Sequence, residues 1–286
     1  MKHALLLSAA LMMAILPGAC GQAGETDEPP GAAVQVAGEG EVSHNPEVTS
    51  TADMPRFLLV DNDTLKADVR FEEEVFSLNP VIAADLIDDA NGRIEAMQED
   101  ADTYQASDPE YFRPYGLKID WRVTGVAGTL AGLEGFIFTF TGGAHGNYMT
   151  DARIYNTETG KRLRAGDLFA DKAAAITALS PDVFNAIASA KVERSGSPEG
   201  RETFLGEAKD ALDGTGLLSG EVSLVASTEE GRLGGIVLHY APYEIGSYAE
   251  GAYHITLPQA EFHDLLKPEY ADLFGGAPAD IQRFGD

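Results

Sequence analysis

The chain is short of cysteine, of positive charge and of long apolar runs, and each shortage excludes something. Cys20 is the one cysteine among 286 residues, so no internal disulfide can form and the fold rests on its core alone. Lys and Arg number 20 against 46 Asp and Glu, a formal net charge of −26. A surface that negative excludes nucleic acid as a partner, because phosphate binding needs clustered cations. It favours solubility and attracts cationic partners over a distance that salt shortens. Beyond Leu16 no segment is long and apolar enough to span a bilayer. Phosphate-loop, dinucleotide and Gly-x-Ser-x-Gly patterns are missing, which leaves no motif for nucleotide chemistry or a serine elbow.

What is present begins with a targeting segment. Lys2 supplies positive charge, Ala4 to Leu16 is a short apolar run, and Leu16-Pro17-Gly18-Ala19-Cys20 follows. Residues 1–19 read as a signal peptide, and Cys20 stands where a lipoprotein carries its lipidated cysteine. Gly18 and Ala19 fit that pattern, whereas Pro17 takes the usual aliphatic place and Leu16 lies one further back. The alternative is an ordinary secretory signal cleaved near Ala19, leaving a free thiol. Lipid on Cys20 would anchor the protein to a membrane without spanning it. Gly21 in place of Asp points, by resemblance to sorting rules in cells with two membranes, to the outer membrane facing the periplasm. Residues 20–55 hold Glu25, Asp27, Glu28, Glu39, Glu41 and Glu47 without an aromatic residue before Arg56. That composition predicts a flexible acidic tether, with His44 a solvated linker residue.

The folded part is expected from Arg56. Phe57–Val60 and Ala67–Phe71 read as strands. Asn79-Pro80 opens a helix with Ile82, Leu86, Ala90, Ile94 and Met97 on its apolar stripe. Asp85, Asp88, Asp89, Glu95 and Glu99 are expected on its solvated face. Leu117, Ile119, Trp121 and Val123 alternate with polar residues as in a half-buried strand. Leu133–Phe140 and Asp151–Tyr155 are further strands. Asp171 caps a helix to Leu179, and Pro181 interrupts it and starts a second one to about Val192. Glu202–Leu212 is a helix, Glu229-Glu230-Gly231 joins a hairpin, Tyr253–Leu257 is a strand, and Pro258-Gln259 opens a last helix through Leu266. Without regular βαβ alternation this predicts an α+β fold: mostly antiparallel sheets with helices packed on one face. Subdomains over 56–150 and 151–274, with or without a shared core, are followed by a loose tail over 275–286.

Two loops concentrate Gly with His, Tyr and carboxylate: Thr141-Gly142-Gly143-Ala144-His145-Gly146-Asn147, and Tyr240 to Gly251. The first, with Gly160-Lys161 and Asp167-Leu168-Phe169, and above all Pro242-Tyr243-Glu244-Ile245-Gly246-Ser247-Tyr248-Ala249-Glu250-Gly251, resemble a known pair of bacterial envelope domains. The leading part is similar to the PdaC-type domain found ahead of a polysaccharide deacetylase. The second resembles the RsiV-type C-terminal domain, of unknown function, of a lysozyme-sensing anti-sigma factor. The resemblance runs from about Pro55 to Leu266. It implies an envelope protein without the deacetylase chemistry, whose metal Asp and paired histidines have no counterpart here. A sigma-binding segment and a spanning helix are also missing, so control of a sigma factor by that route is not implied.

His145 in its Gly-rich loop suits acid–base work or metal ligation, with Glu244 and Glu250 as partners if the two loops meet. The competing reading makes all three structural loop residues. Tyr240, Tyr243 and Tyr248, with Asn147 and Glu250, suit a sugar ring or a peptide; the alternative is core packing. Trp121 reads as core, and His239, His254 and His263 as sheet or surface residues. No cofactor is expected and no metal site is assigned. The expected function is a lipid-anchored envelope binding protein for peptidoglycan or a cationic, lysozyme-like partner. The alternative is an envelope hydrolase centred on His145.

Overall fold

The computed structural model describes residues 48–212 and 216–281. Cys20, His44, the signal segment, the tether up to residue 47 and residues 282–286 lie outside the described part. Two sheets carry the fold. One has six strands in chain order: β1 (Phe57–Asp61), β2 (Leu65–Phe71), β3 (Tyr115–Ala127), β4 (Leu130–Phe140), β5 (Asn147–Asn156) and β6 (Arg162–Leu163). The other has three: β7 (Glu221–Ala226), β8 (Leu233–Tyr240) and β9 (Tyr253–Pro258). Every pairing is antiparallel except β2 with β3. That one is parallel because α1 (Pro80–Ser107) crosses over between them. The fold is therefore α+β.

Asn79 caps α1 by accepting from the Val81 N–H (3.0 Å), with Pro80 at the first helical position. Ile82, Leu86 and Ala90 are fully buried against Leu65, Val69, Ile119 and Leu133 of the large sheet. Trp121 is the largest of these core residues, and it lies across Gly135, its register partner on β4. The acidic face of α1 is not wholly solvated as expected. Asp85 and Asp89 reach Arg153 of β5 (3.2 and 3.0 Å), and Arg93 bridges Asp89 (2.7 Å) and Asp151 (3.0 Å). On β5, Asp151, Arg153 and Tyr155 fall on one face of the strand, and that face meets the helix. Residues 51–55, assigned by composition to the tether, are docked. Arg56 lies over the Phe76 ring and donates to the carbonyls of Thr51 and Met54 (2.9 and 3.0 Å).

The small sheet packs one face on α2 (Lys172–Ser195) and α3 (Arg201–Leu212) through Val222, Leu224, Ile236, Leu238, Ile255 and Leu257. On its other side β7 crosses β3, β4 and β5 at backbone distance. A Cβ on Gly132 would stand 2.6 Å from the Leu224 nitrogen, and one on Gly125 2.6 Å from that of Ala226. A bulge at Thr124 turns its hydroxyl to the Leu224 carbonyl (2.5 Å).

Three local expectations are corrected. Pro181 does not split its helix: α2 runs unbroken from Lys172 to Ser195 and ends on Gly196 in the left-handed conformation (φ 65°). Hydroxyl bonds from Thr177 to Ala173 and from Ser180 to Ile176 add to the backbone ladder around the proline. Residues 259–265 make two 3-10 turns in place of a helix. Phe262 is packed into the core at φ −136°, and Leu266 is drawn into a bridge with Phe169. The tail is docked as far as Ala279: Gly275 N–H donates to Leu233, and Ala279 N–H to Ala226.

Candidate functional site

The two Gly-rich loops meet. The first links β4 to β5, the second β8 to β9, and the contact is made by rings. His145 stacks on Tyr248 with centroids 4.3 Å apart and planes 29° from parallel. One carbonyl fixes both. Gly146 O takes a hydrogen bond from Tyr248 OH (2.8 Å) and lies 3.0 Å from His145 Nδ1. That nitrogen therefore carries a proton. A side chain at Gly146 would run into the Phe138 ring, so the residue type is set by how closely the carbonyl must approach.

The stack continues on both sides. Tyr243 lies 5.6 Å from Tyr248, Tyr148 lies 6.2 Å from it edge-on, and Phe136 follows 5.9 Å from Tyr148. Tyr148 OH also accepts the Ala252 N–H (3.3 Å). Tyr243 is 63% exposed and sits at φ 78°, the one non-glycine residue at positive φ among the described residues. A bulky side chain costs energy there and persists only where surrounding structure enforces it. His145 is also exposed. Tyr148 and Phe136 were not singled out in the sequence. Their signal was the alternation that sets Phe136 and Tyr148 on the sheet face opposite the α1 core.

The remaining candidates stand elsewhere. Tyr240 is buried in the core of the small sheet, where burial and the Glu244 charge raise its phenol. Asn147 is exposed at the head of β5. Glu244 turns back to the Ala241 N–H (2.7 Å). Glu250 has both oxygens engaged. Oε1 takes the Ser247 N–H (2.8 Å) and hydroxyl (3.1 Å); Oε2 takes Lys191 Nζ (3.0 Å) and Tyr253 OH (2.6 Å). Burial opposes ionisation of Glu250, but the Tyr253 and Ser247 bonds and the Lys191 charge bring it down to about 2. Lys191 is buried and also binds Glu207 (3.0 Å). Arg194, one turn on, donates to the carbonyls of Glu250 and Ala252 (2.5 and 2.7 Å). The end of α2 thus grips the loop that carries Tyr248.

A second polar cluster lies between the sheets. Glu134, 1% exposed, accepts from Arg122 (2.9 Å) and Ser223 (2.8 Å) and lies 3.2 Å from His239 Nε2. Burial would raise the Glu134 carboxyl, yet His239, Arg122 and Ser223 together hold it well below the usual carboxylate range. Ser223 and Glu134 converge on the same nitrogen of His239. A nucleophile relay needs them on opposite nitrogens and an exposed hydroxyl, and Ser223 is fully buried. The cluster is a polar bridge between sheets. Its one signal in the sequence is a carboxylate inside the apolar run Leu133–Phe140. Among the described residues, no group of three or more His, Cys, Asp or Glu is placed to hold a metal ion, and no helix is long and apolar enough to cross a membrane.

Residues 233–260 match the family model DUF3298, described as a protein of unknown function. The DUF3298 match spans β8, the loop of Tyr243 and Tyr248, and β9. The fold is similar to that of a DUF3298 family member from Bacteroides fragilis, with 14% identity and a TM-score of 0.48 over 76% of this chain and 95% of that one. It is also similar to a DUF3298 family protein from Pseudomonas aeruginosa PAO1, with 15% identity and a TM-score of 0.42 over 78% and 96%. No curated protein matches the chain.

Proposed function

We propose that the chain is a cell-envelope binding protein that uses the His145–Tyr248–Tyr243 stack to recognise the sugar rings of a cell-wall glycan. The observation that carries this reading is the stack itself, half-buried at Tyr248 and exposed at His145 and Tyr243. Two rings are locked nearly parallel by one carbonyl, and a third is held in a strained conformation beside them. Exposed ring faces pack against the apolar C–H faces of a pyranose, and the nearby exposed Asn147 offers an amide to its hydroxyls. The hydrolase reading loses ground because Glu244 caps its own turn and Glu250 is neutralised by Lys191. The lipid anchor on Cys20, the outer-membrane location facing the periplasm, and the PdaC-type and RsiV-like halves belong to the same proposal. They rest on the sequence features that suggested them.

The test is co-sedimentation of the full-length protein with purified peptidoglycan sacculi across a salt series. Binding that persists at physiological salt and drops about tenfold or more in Tyr248→Ala supports the reading, a size in keeping with the loss of a stacked ring. Equal binding by the variant overturns it. A net charge of −26 favours a second reading, a cationic lysozyme-like partner. It would show as binding to lysozyme that outlasts, in salt, binding to another protein of equal charge.

A further inference from the structure

Next to the stack, the face of the large sheet turned away from α1 carries rows of side chains that cross the strands. Strand pairing fixes their order. One row runs Tyr148, Phe138, Lys118, Asp68, Leu59 from β5 to β1. The row beside it runs Phe136, Asp120, Arg70, Phe57 from β4 to β1. Successive residues of a strand point to opposite faces, and Ile137, Ile119 and Val69, one position along, are buried in the α1 core. The rows begin at the stack: Tyr148 lies edge-on to Tyr248, and the Phe138 ring stands against Gly146. They end on β1, the outer strand of the sheet, where Phe57 and Leu59 are 60% and 62% exposed.

Between the aromatic end and the apolar end lie ion pairs. Arg70 holds Asp68 (2.7 Å), Lys118 holds Asp120 (2.8 Å), and Lys66 holds Asp61 beside them. The three cations are exposed, and Asp68 and Asp120 are half-buried. Three cations and three anions cancel here, in a chain whose net charge is −26. The patch therefore neither repels a weakly acidic polymer nor draws in a cationic protein. Ring and aliphatic contacts at both ends, with hydrogen-bonding groups between them, suit a polymer that offers apolar ring faces and hydroxyls in turn. Neighbouring strands lie about 4.8 Å apart, close to the length of one sugar ring, so β5 to β1 spans roughly four sugars. A second copy paired along β1 would have five residues of edge to hold, short for a stable interface, and would leave Lys118 and Asp120 uncovered.

We propose that this sheet face continues the binding site, so that the protein reads a run of roughly four sugars along one glycan chain, laid across the strands from Tyr248 to Phe57. The inference rests on the proposed role of the stack and adds to it the length and course of the ligand. The experiment is isothermal titration of the full-length protein with peptide-free glycan chains cut from sacculi and sorted by length. Affinity is expected to rise about tenfold or more from the disaccharide to the tetrasaccharide or pentasaccharide, then to level off. Phe57→Ala combined with Leu59→Ala should remove most of that rise and leave disaccharide binding unchanged. Both side chains are exposed, so the fold does not depend on them. Binding that is lost in Tyr248→Ala yet flat with length overturns the extension alone. A rise with length that the double variant keeps overturns it as well. No binding at any length overturns the glycan reading and the extension together. A free protein that sediments as a dimer, and as a monomer in the double variant, gives β1 to a second copy and overturns the extension.

Discussion

Tyr243 keeps an exposed phenol ring at φ 78°, a conformation a bulky residue leaves when nothing holds it there. Tyr243→Gly should raise stability by up to about 1 kcal/mol, since glycine enters that region freely, while weakening sacculus binding; thermal melts beside co-sedimentation check both signs. Glu221 acts through protons. Burial and the nearby Asp151 charge raise its carboxyl to about 7. A carboxyl raised on folding contributes its full stability below its unfolded value and loses it as pH rises through the folded one. Stability should therefore fall between about pH 4.5 and 7. Glu221→Gln, which still accepts the Ala152 N–H, should flatten that slope and gain roughly 3 kcal/mol at most at pH 8, as read from urea unfolding at several pH values. At this scale the sequence was only half legible. His145, Tyr243 and Tyr248 stood out as loop residues among glycines. Tyr240 carried the same signal and is core, because its strand parity and not its type decides which way it points. The environments of Glu134 on β4 and Glu221 on β7 are set where the two sheets face each other, which neither position reveals in the sequence.

Among the elements, α2 is the one whose sequence argues against its shape. Pro181 removes an N–H from the middle of a 24-residue helix, and its ring is exposed. Pro181→Ala should add about 1–2 kcal/mol, the restored helix bond exceeding the entropy returned to the unfolded chain, visible as a higher melting temperature. The strand β3 was legible because its alternation of period two survives, whereas β4 and β5 are buried on both faces over much of their length and were legible as short runs bounded by turn residues. The start of α1 was legible because Asn79 and Pro80 each have one local meaning. The turns at 259–265 were not, since Phe262 and Leu266 follow contacts with Phe169 from far back along the chain. The docked tail escaped for the same reason: its hydrogen bonds belong to Leu233 and Ala226, and composition cannot reveal such partners.

For the whole molecule, the crossing of β7 over β4 at Gly132 decides whether the two sheets act together. Gly132→Ala would force a Cβ against the Leu224 backbone, where no side chain can yield. A loss of about 3 kcal/mol or more is expected, at the upper end for overpacking because the clash is with main chain, measured by denaturant unfolding. Sacculus binding should fall with it, since the rings come from both loops. Both sheets list their strands in chain order, so each new strand finds its neighbour already made. The contacts that join the sheets are the exceptions: Thr124 to Leu224 spans 100 residues and Tyr248 to Gly146 spans 102. Closing such loops gives up the most chain entropy. On a chain delivered from its N-terminus they can form only after the last strands arrive. The proposed binding face is thus completed at the end of assembly, so capture of its proposed ligand would double as a certificate of folding: an unfinished copy would lack the paired rings.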